Sequence, residues 1–177
     1  PQLSLLKAAG ADSLLMVANV APSAQVVKSL DRMGWDVPII SHWGPAGGRF
    51  SELAGENAAK VHFIQTFTFV ENQQGKGAEV LAALKQRYPE IKDLADITPA
   101  VGIANAYDAM HLTALAIENA GSTEGPAIRK GYFEIAEYDG LIKSYLKPFS
   151  PEQTDALGPD DYLFTHFVDG RIVPVDQ

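Results

Sequence analysis

The chain has 177 residues, 46% hydrophobic and 20% charged, with 22 acidic against 14 basic side chains and a net charge of −8. That length and composition suit a globular domain with a buried core and exclude a disordered segment, and an acidic chain with no clustered basic stretch excludes nucleic acid as a partner. With no cysteine, disulfides, thiolate metal sites and cysteine nucleophiles are excluded together, and the longest apolar run, Ser13 to Val20, is too short to span a bilayer.

The first seventy or so residues alternate between helix and strand. Leu3, Leu5, Leu6 and Ala9 form an apolar helical face stopped at Gly10. Ser13 to Ala18 is an apolar run of strand length. Ser23 is a candidate N-cap for a helix carrying Val26, Val27, Leu30 and Met33 at helical spacing, ended by Gly34. Val37 to Ile40 is a second short strand, residues 47–59 a helix, and Val61 to Phe69 a strand rich in β-branched and aromatic residues. Strands apolar on both faces that alternate with helices predict an α/β fold with a parallel sheet covered on both sides.

Farther on the pattern changes. Gly77 to Tyr88 reads as an amphipathic helix stopped by Pro89. Thr98-Pro99 reads as an N-cap followed by proline at the first position of a long, alanine-rich helix that ends before Gly121. Gly158 to Asp161 reads as a loop. Asp169-Gly170 then supplies the positive φ angles of a type I′ turn between Tyr162–Val168 and Arg171–Val175. Parallel α/β, then mainly helix, then an antiparallel hairpin is the order expected of a chain that crosses between two lobes.

No catalytic constellation assembles from the residue types present. His42, His62, His111 and His166 show no metal-ligand spacing, and Ser13, Ser23 and Ser51 lack the setting of a nucleophile elbow. Asp108 and His111, three apart on the long helix, could hydrogen-bond as an ordinary polar pair or act as a dyad. Gly44 to Gly48 could cradle an anion on backbone N–H groups, or could be a plain strand-to-helix loop. The acidic pairs Asp160-Asp161 and Glu134 with Glu137 read as solvated charge. Neither a metal nor a cofactor is expected, and the chain reads as a binding protein rather than an enzyme.

Position is more informative than residue type. Ligands of open parallel sheets bind beyond the carboxyl ends of the strands. Asn19 and Val20 follow the first strand there, and Ser41, His42 and Trp43 follow the second. An indole face beside a polar imidazole suits a small solute. The alternative is that Trp43 merely plugs the surface and His42 is solvated.

Three segments resemble the leucine/isoleucine/valine-binding group of type 1 periplasmic binding proteins. They are LLKAAGADSLLMVANVAPSAQVVKSLDRMGWDVPIISHWG, GRFSELAGENAAKVHFIQTF and IANAYDAMHLTALAIENAGS, and the closing hairpin is similar too. The resemblance implies two Rossmann-like lobes, only partly present here: 1–68 in the C-terminal lobe, 69–158 in the N-terminal lobe, and 159–177 returning as the closing hairpin. It implies an extracytoplasmic receptor of an ABC importer, periplasmic or lipid-anchored outside the cell. Its partners would be a small-molecule solute, a membrane permease and the missing N-terminal half of the same protein. The chain opens on Pro1 without an initiating Met or a signal-type segment, in keeping with a piece of something longer.

Carried over by that resemblance, Asn19 and Trp43 fall at ligand contacts of one lobe and Gly102 near a contact of the other. Amino-acid binders of this group place a carboxylate where Trp43 stands. An ammonium buried there without a charged partner is costly, so an aromatic or branched carboxylate is the expected solute. The rival expectations are the ligand-sensing core of a regulator or receptor, and a true branched-chain amino-acid binder.

Overall fold

The computed structural model describes residues 1–175. They divide into two compact units, one formed by Pro1–Val101 together with the segment from Leu163 onward, the other by Gly102–Tyr162.

The first unit opens with α1 (Gln2–Ala8), β1 (Leu14–Met16), α2 (Val20–Arg32) and β2 (Ile39–Ser41). A short α3 (Phe50–Ala54), flanked by tight helical turns, leads to β3 (Val61–Gln65), and α4 (Gly75–Arg87) follows. The next elements are α5 (Ala100–Ala120), α6 (Gly125–Phe133) and the strands β4 (Glu137–Asp139) and β5 (Ser144–Leu146). From Gly102 to β5 the chain belongs to the second unit. It then returns to the first as β6 (Leu163–Val168) and β7 (Arg171–Pro174).

The first unit's sheet has the order β1-β2-β3-β6-β7. β1, β2 and β3 are parallel, and β6 and β7 are antiparallel additions. The turn between the last two is the one expected, with Asp169 at φ 49° and Gly170 at φ 78°. On the covered face, Ser23, Ala24, Val27 and Leu30 of α2 are buried at helical spacing. Ala24, Val27 and Leu30 share a core with Met16, Ile39, Val61, Phe63 and Phe167. Phe50 of α3 is fully buried, its ring 5.4 Å from that of Phe167. Side-chain hydroxyls clip neighbouring strands together. Ser41 donates to the Met16 carbonyl at 2.6 Å, and Thr165 to the Phe63 carbonyl at 2.7 Å.

The opposite face departs from expectation. Leu15 is 78% exposed, Ile40 45% and Phe164 42%. Leu15 lies beside Ile40, Ile40 beside His62, and Phe164 beside Ile64. The His62 ring stacks on Phe164 and on His166. Strands apolar on both sides, predicted to be covered on both sides, are here covered on one.

Several boundaries also move for local reasons. Asn19, not Ser23, holds the N-cap position of α2, because the helix begins directly behind the strand. Ser23 sits inside the first turn and bonds the Ala18 carbonyl at 3.0 Å. The helix expected over 47–59 shrinks to five residues where Gly48 and Gly55 interrupt it. The strand expected to reach Phe69 stops at Gln65, and Phe67 and Phe69 pack edge to face in irregular chain. α5 begins at Ala100, after Pro99 rather than on it. The bidentate Arg171–Asp93 pair ties β7 to the turn that precedes α5.

The second unit packs α5 and α6 with the β4–β5 hairpin around Leu112, Ala116 and Ile135. Its pivot is Asp108, 2% exposed on α5. The carboxylate accepts from the Leu141 and Ile142 backbone N–H groups at 2.5 and 2.9 Å and from the Tyr145 hydroxyl at 2.8 Å. Gly140 is needed there, because a β-carbon would overlap the carboxylate and the Tyr145 ring. Burial, and then the bond to Asp108, push the Tyr145 phenol well above its ordinary range. Burial and the Asp108 charge push Tyr138 up to about 12.

Candidate binding edge

β1 and β2 end side by side, with Met16 beside Ser41. The chain leaving β1 enters α2 at once, which holds Asn19 at the N-cap position with extended backbone. Its carbonyl accepts from Ser23 N–H at 3.0 Å. The side-chain amide makes no capping bond and is exposed. Val20, half-buried, lays its methyl groups along Gly47 and Gly48.

Beyond β2 the chain makes a tight helical turn, Gly44–Gly47, whose first three residues are buried. Ser41 is buried with its hydroxyl engaged on Met16. His42 is half-buried, and its Nδ1 accepts the Gly44 backbone N–H at 2.5 Å. Trp43 is 46% exposed, a large apolar side chain left in solvent on a tightly folded turn. Only glycine fits at position 44. A β-carbon there would overlap both the imidazole and the Ala18 carbonyl, so the turn after β2 is seated directly on the connection after β1.

Asn19, Val20, Ser41, His42 and Trp43 therefore share one edge of the first unit, at the carboxyl ends of its parallel strands. Gly102, exposed near the start of α5, belongs to the second unit. The loop weighed as an anion cradle spends two of its donors internally. Gly44 N–H goes to His42, Ala46 N–H to the Trp43 carbonyl at 2.9 Å, and Pro45 has none.

Other polar residues singled out from the sequence are accounted for by packing. Asp108 is committed to the 141–142 turn and Tyr145, whereas His111 is exposed and packs against Tyr107 and Tyr138, so the two form no dyad. Asp161, expected as solvated charge, pairs with Lys143 at 2.5 Å and accepts Gly158 N–H at 2.7 Å. Its carboxyl is held below the usual range even though burial opposes this, through those two bonds. Among the described residues no group of three or more His, Asp or Glu could hold a metal. No helix among them is long and apolar enough to cross a membrane.

The sequence marks one further concavity only through Asp108, which lines it. A groove of about 500 Å³ in the second unit is lined by Arg129, Tyr132, Phe149 and Leu157 among others. Its walls come mainly from α5, α6 and the irregular 154–157 segment, which carry no strand-end signal.

A family model described as "Periplasmic binding protein" matches residues 1–158. Among solved structures, a type 1 periplasmic binding protein from Bordetella pertussis Tohama I aligns with a TM-score of 0.80 at 22% identity, covering 98% of this chain and 48% of that one. The branched-chain amino acid transporter substrate binding protein LivJ of Streptococcus pneumoniae, in complex with isoleucine, aligns at 0.71 and 22% identity, covering 97% and 46%. A fatty acid ABC transporter substrate-binding protein from Thermomonospora curvata aligns at 0.73 and 14% identity, covering 99% and 45%. At these identities the likeness is one of fold. The chain spans about half the length of the solved chains it matches. No curated protein matches it.

Proposed function

The chain belongs to the periplasmic binding protein family, and on that footing we propose that it is part of an extracytoplasmic solute-binding receptor of an ABC importer. The receptor closes its lobes on a small solute and presents the closed form to a membrane permease, in the periplasm or outside the cell. Proteins of this family are binders rather than catalysts. The lobe limits proposed are 1–68 and 159–177 for one lobe and 69–158 for the other.

The observation that carries the reading is the edge bearing Asn19, His42 and Trp43, with the indole half exposed on a turn that packing holds in place. The solute proposed is an aromatic or branched carboxylate. It stacks on Trp43 and hydrogen-bonds to Asn19 and His42, and Gly102 leaves room on the other lobe's side. The remainder of a longer chain is proposed to cover the open sheet face at Leu15, Ile40 and Phe164, which supports the half-length reading. The isoleucine held by the pneumococcal relative favours a second reading, a branched-chain amino-acid binder.

A thermal-shift screen of the full-length protein separates these. A solute at a hundred times its Kd raises stability by about 2.7 kcal/mol. A raised Tm with aromatic acids and none with leucine supports the first reading. A shift with leucine or isoleucine supports the second. No shift with any solute turns the reading toward a regulator or receptor core of the same fold.

A further inference from the structure

A neutral imidazole carries one N–H and one bare nitrogen, and its neighbours decide which is which. At His42 a backbone N–H, which can only donate, lies 2.5 Å from Nδ1. Nδ1 is therefore the bare nitrogen, and the ring proton sits on Nε2. The ring has little freedom to escape this contact. Gly44 is wedged between the imidazole and the Ala18 carbonyl, and the same carbonyl accepts the Ser23 hydroxyl at 3.0 Å.

Beside it, the Trp43 indole nitrogen is a donor only. Both rings at this edge can thus donate and not accept, His42 through Nε2 and Trp43 through Nε1. The Asn19 amide can do either and so does not discriminate.

We infer that His42, fixed by Gly44 as its neutral Nε2–H tautomer, makes this edge a donor site that takes the carboxylate or carbonyl oxygen of the solute and turns away its ammonium. An ammonium there would set N–H against the N–H groups of both rings and lose its hydration with only the Asn19 amide oxygen in return. The inference rests on the reading that this edge contacts solute, and it adds the sense of the hydrogen bond and the end of the molecule recognised.

Two measurements on the full-length protein test it. A long-range proton–nitrogen NMR spectrum, with the His42 signals assigned by their loss in His42→Asn, reads which ring nitrogen carries the proton. A proton on Nε2 is expected, and a proton on Nδ1 overturns the inference while leaving the solute reading intact. Thermal shifts with matched pairs, phenylacetate against phenethylamine and 4-methylpentanoate against isopentylamine, read which end is recognised. Binding of an acid but of neither amine, with affinity at least about 10-fold weaker in His42→Ala, is expected. His42→Gln, whose amide N–H can stand near the place of Nε2, should recover part of that loss, which mere damage to the fold would not allow. Amine binding that depends on His42, or acid binding indifferent to it, overturns the inference and keeps the receptor. No binding of any of the four probes removes this inference, while the receptor reading is decided by the wider solute screen.

Discussion

Thr165 and Asp108 do comparable work in the two units with opposite chemistry. In the first unit the sheet and its aromatic core carry the packing, and Thr165 adds one neutral hydrogen bond between strands that are already laddered. In the second unit the turn at 140–143 joins only the two short strands β4 and β5. One buried carboxylate gathers two backbone N–H groups and a phenol. The first unit spreads its cohesion over many apolar contacts. The second has a smaller apolar cluster and concentrates its polar cohesion on one residue, so the two should fail in different ways.

The largest effect expected is in the first unit's core. Phe50→Ala should cost about 4 kcal/mol in urea unfolding of the full-length protein, since the ring is wholly buried against Phe167. A loss below 1 kcal/mol would mean that the short α3 is not part of the core. Asp108→Asn should cost about 2–3 kcal/mol, because one amide oxygen cannot serve three donors and its NH₂ group faces them. A neutral outcome would remove the contrast between the units.

Thr165→Val keeps the shape and deletes only the donor, and should cost about 1 kcal/mol. If it matched Asp108→Asn, cohesion in the first unit would be as concentrated as in the second. The smallest effect concerns the exposed Arg171–Asp93 pair. The bond to Arg171, and then that to the Ala95 N–H, hold the Asp93 carboxyl below its ordinary range. A lowered folded-state pKa stabilises above the unfolded value, and that contribution is lost as pH falls through the folded one. Wild type and Asp93→Asn should therefore differ near neutrality and converge in melting temperature below about pH 4.

The same contrast explains what could be read from the sequence. Strand and helix in the first unit follow hydrophobic period and glycine punctuation, and Asp169-Gly170 announces its own turn. The α/β class and the two strand ends carrying Asn19 and Trp43 follow from those signals alone. Ser23 shows the limit of this reading. A serine near a helix start looks like a cap, but the cap position is set by how soon the chain leaves β1. The helix α6 and the β4–β5 hairpin were not legible. Each strand has three residues, and what holds the hairpin is a carboxylate about thirty residues earlier in the chain. A long-range bond of that kind leaves no local period. The bond between His42 and Gly44 is equally silent, since only the seating of the turn on Ala18 makes glycine compulsory there.

The placing of the two tryptophans has a practical consequence. Trp35 packs against the core of the first unit, whereas Trp43 stands 46% exposed on the turn after β2. Indole emission follows the polarity around the ring, and a dissolved quencher reaches only a ring that solvent reaches. A solute laid on Trp43 should shift that ring's fluorescence to the blue and shield it from iodide, while the half-buried Trp35 keeps its own emission and quenching. Occupancy of the edge can then be followed by light, without a label and without altering a residue.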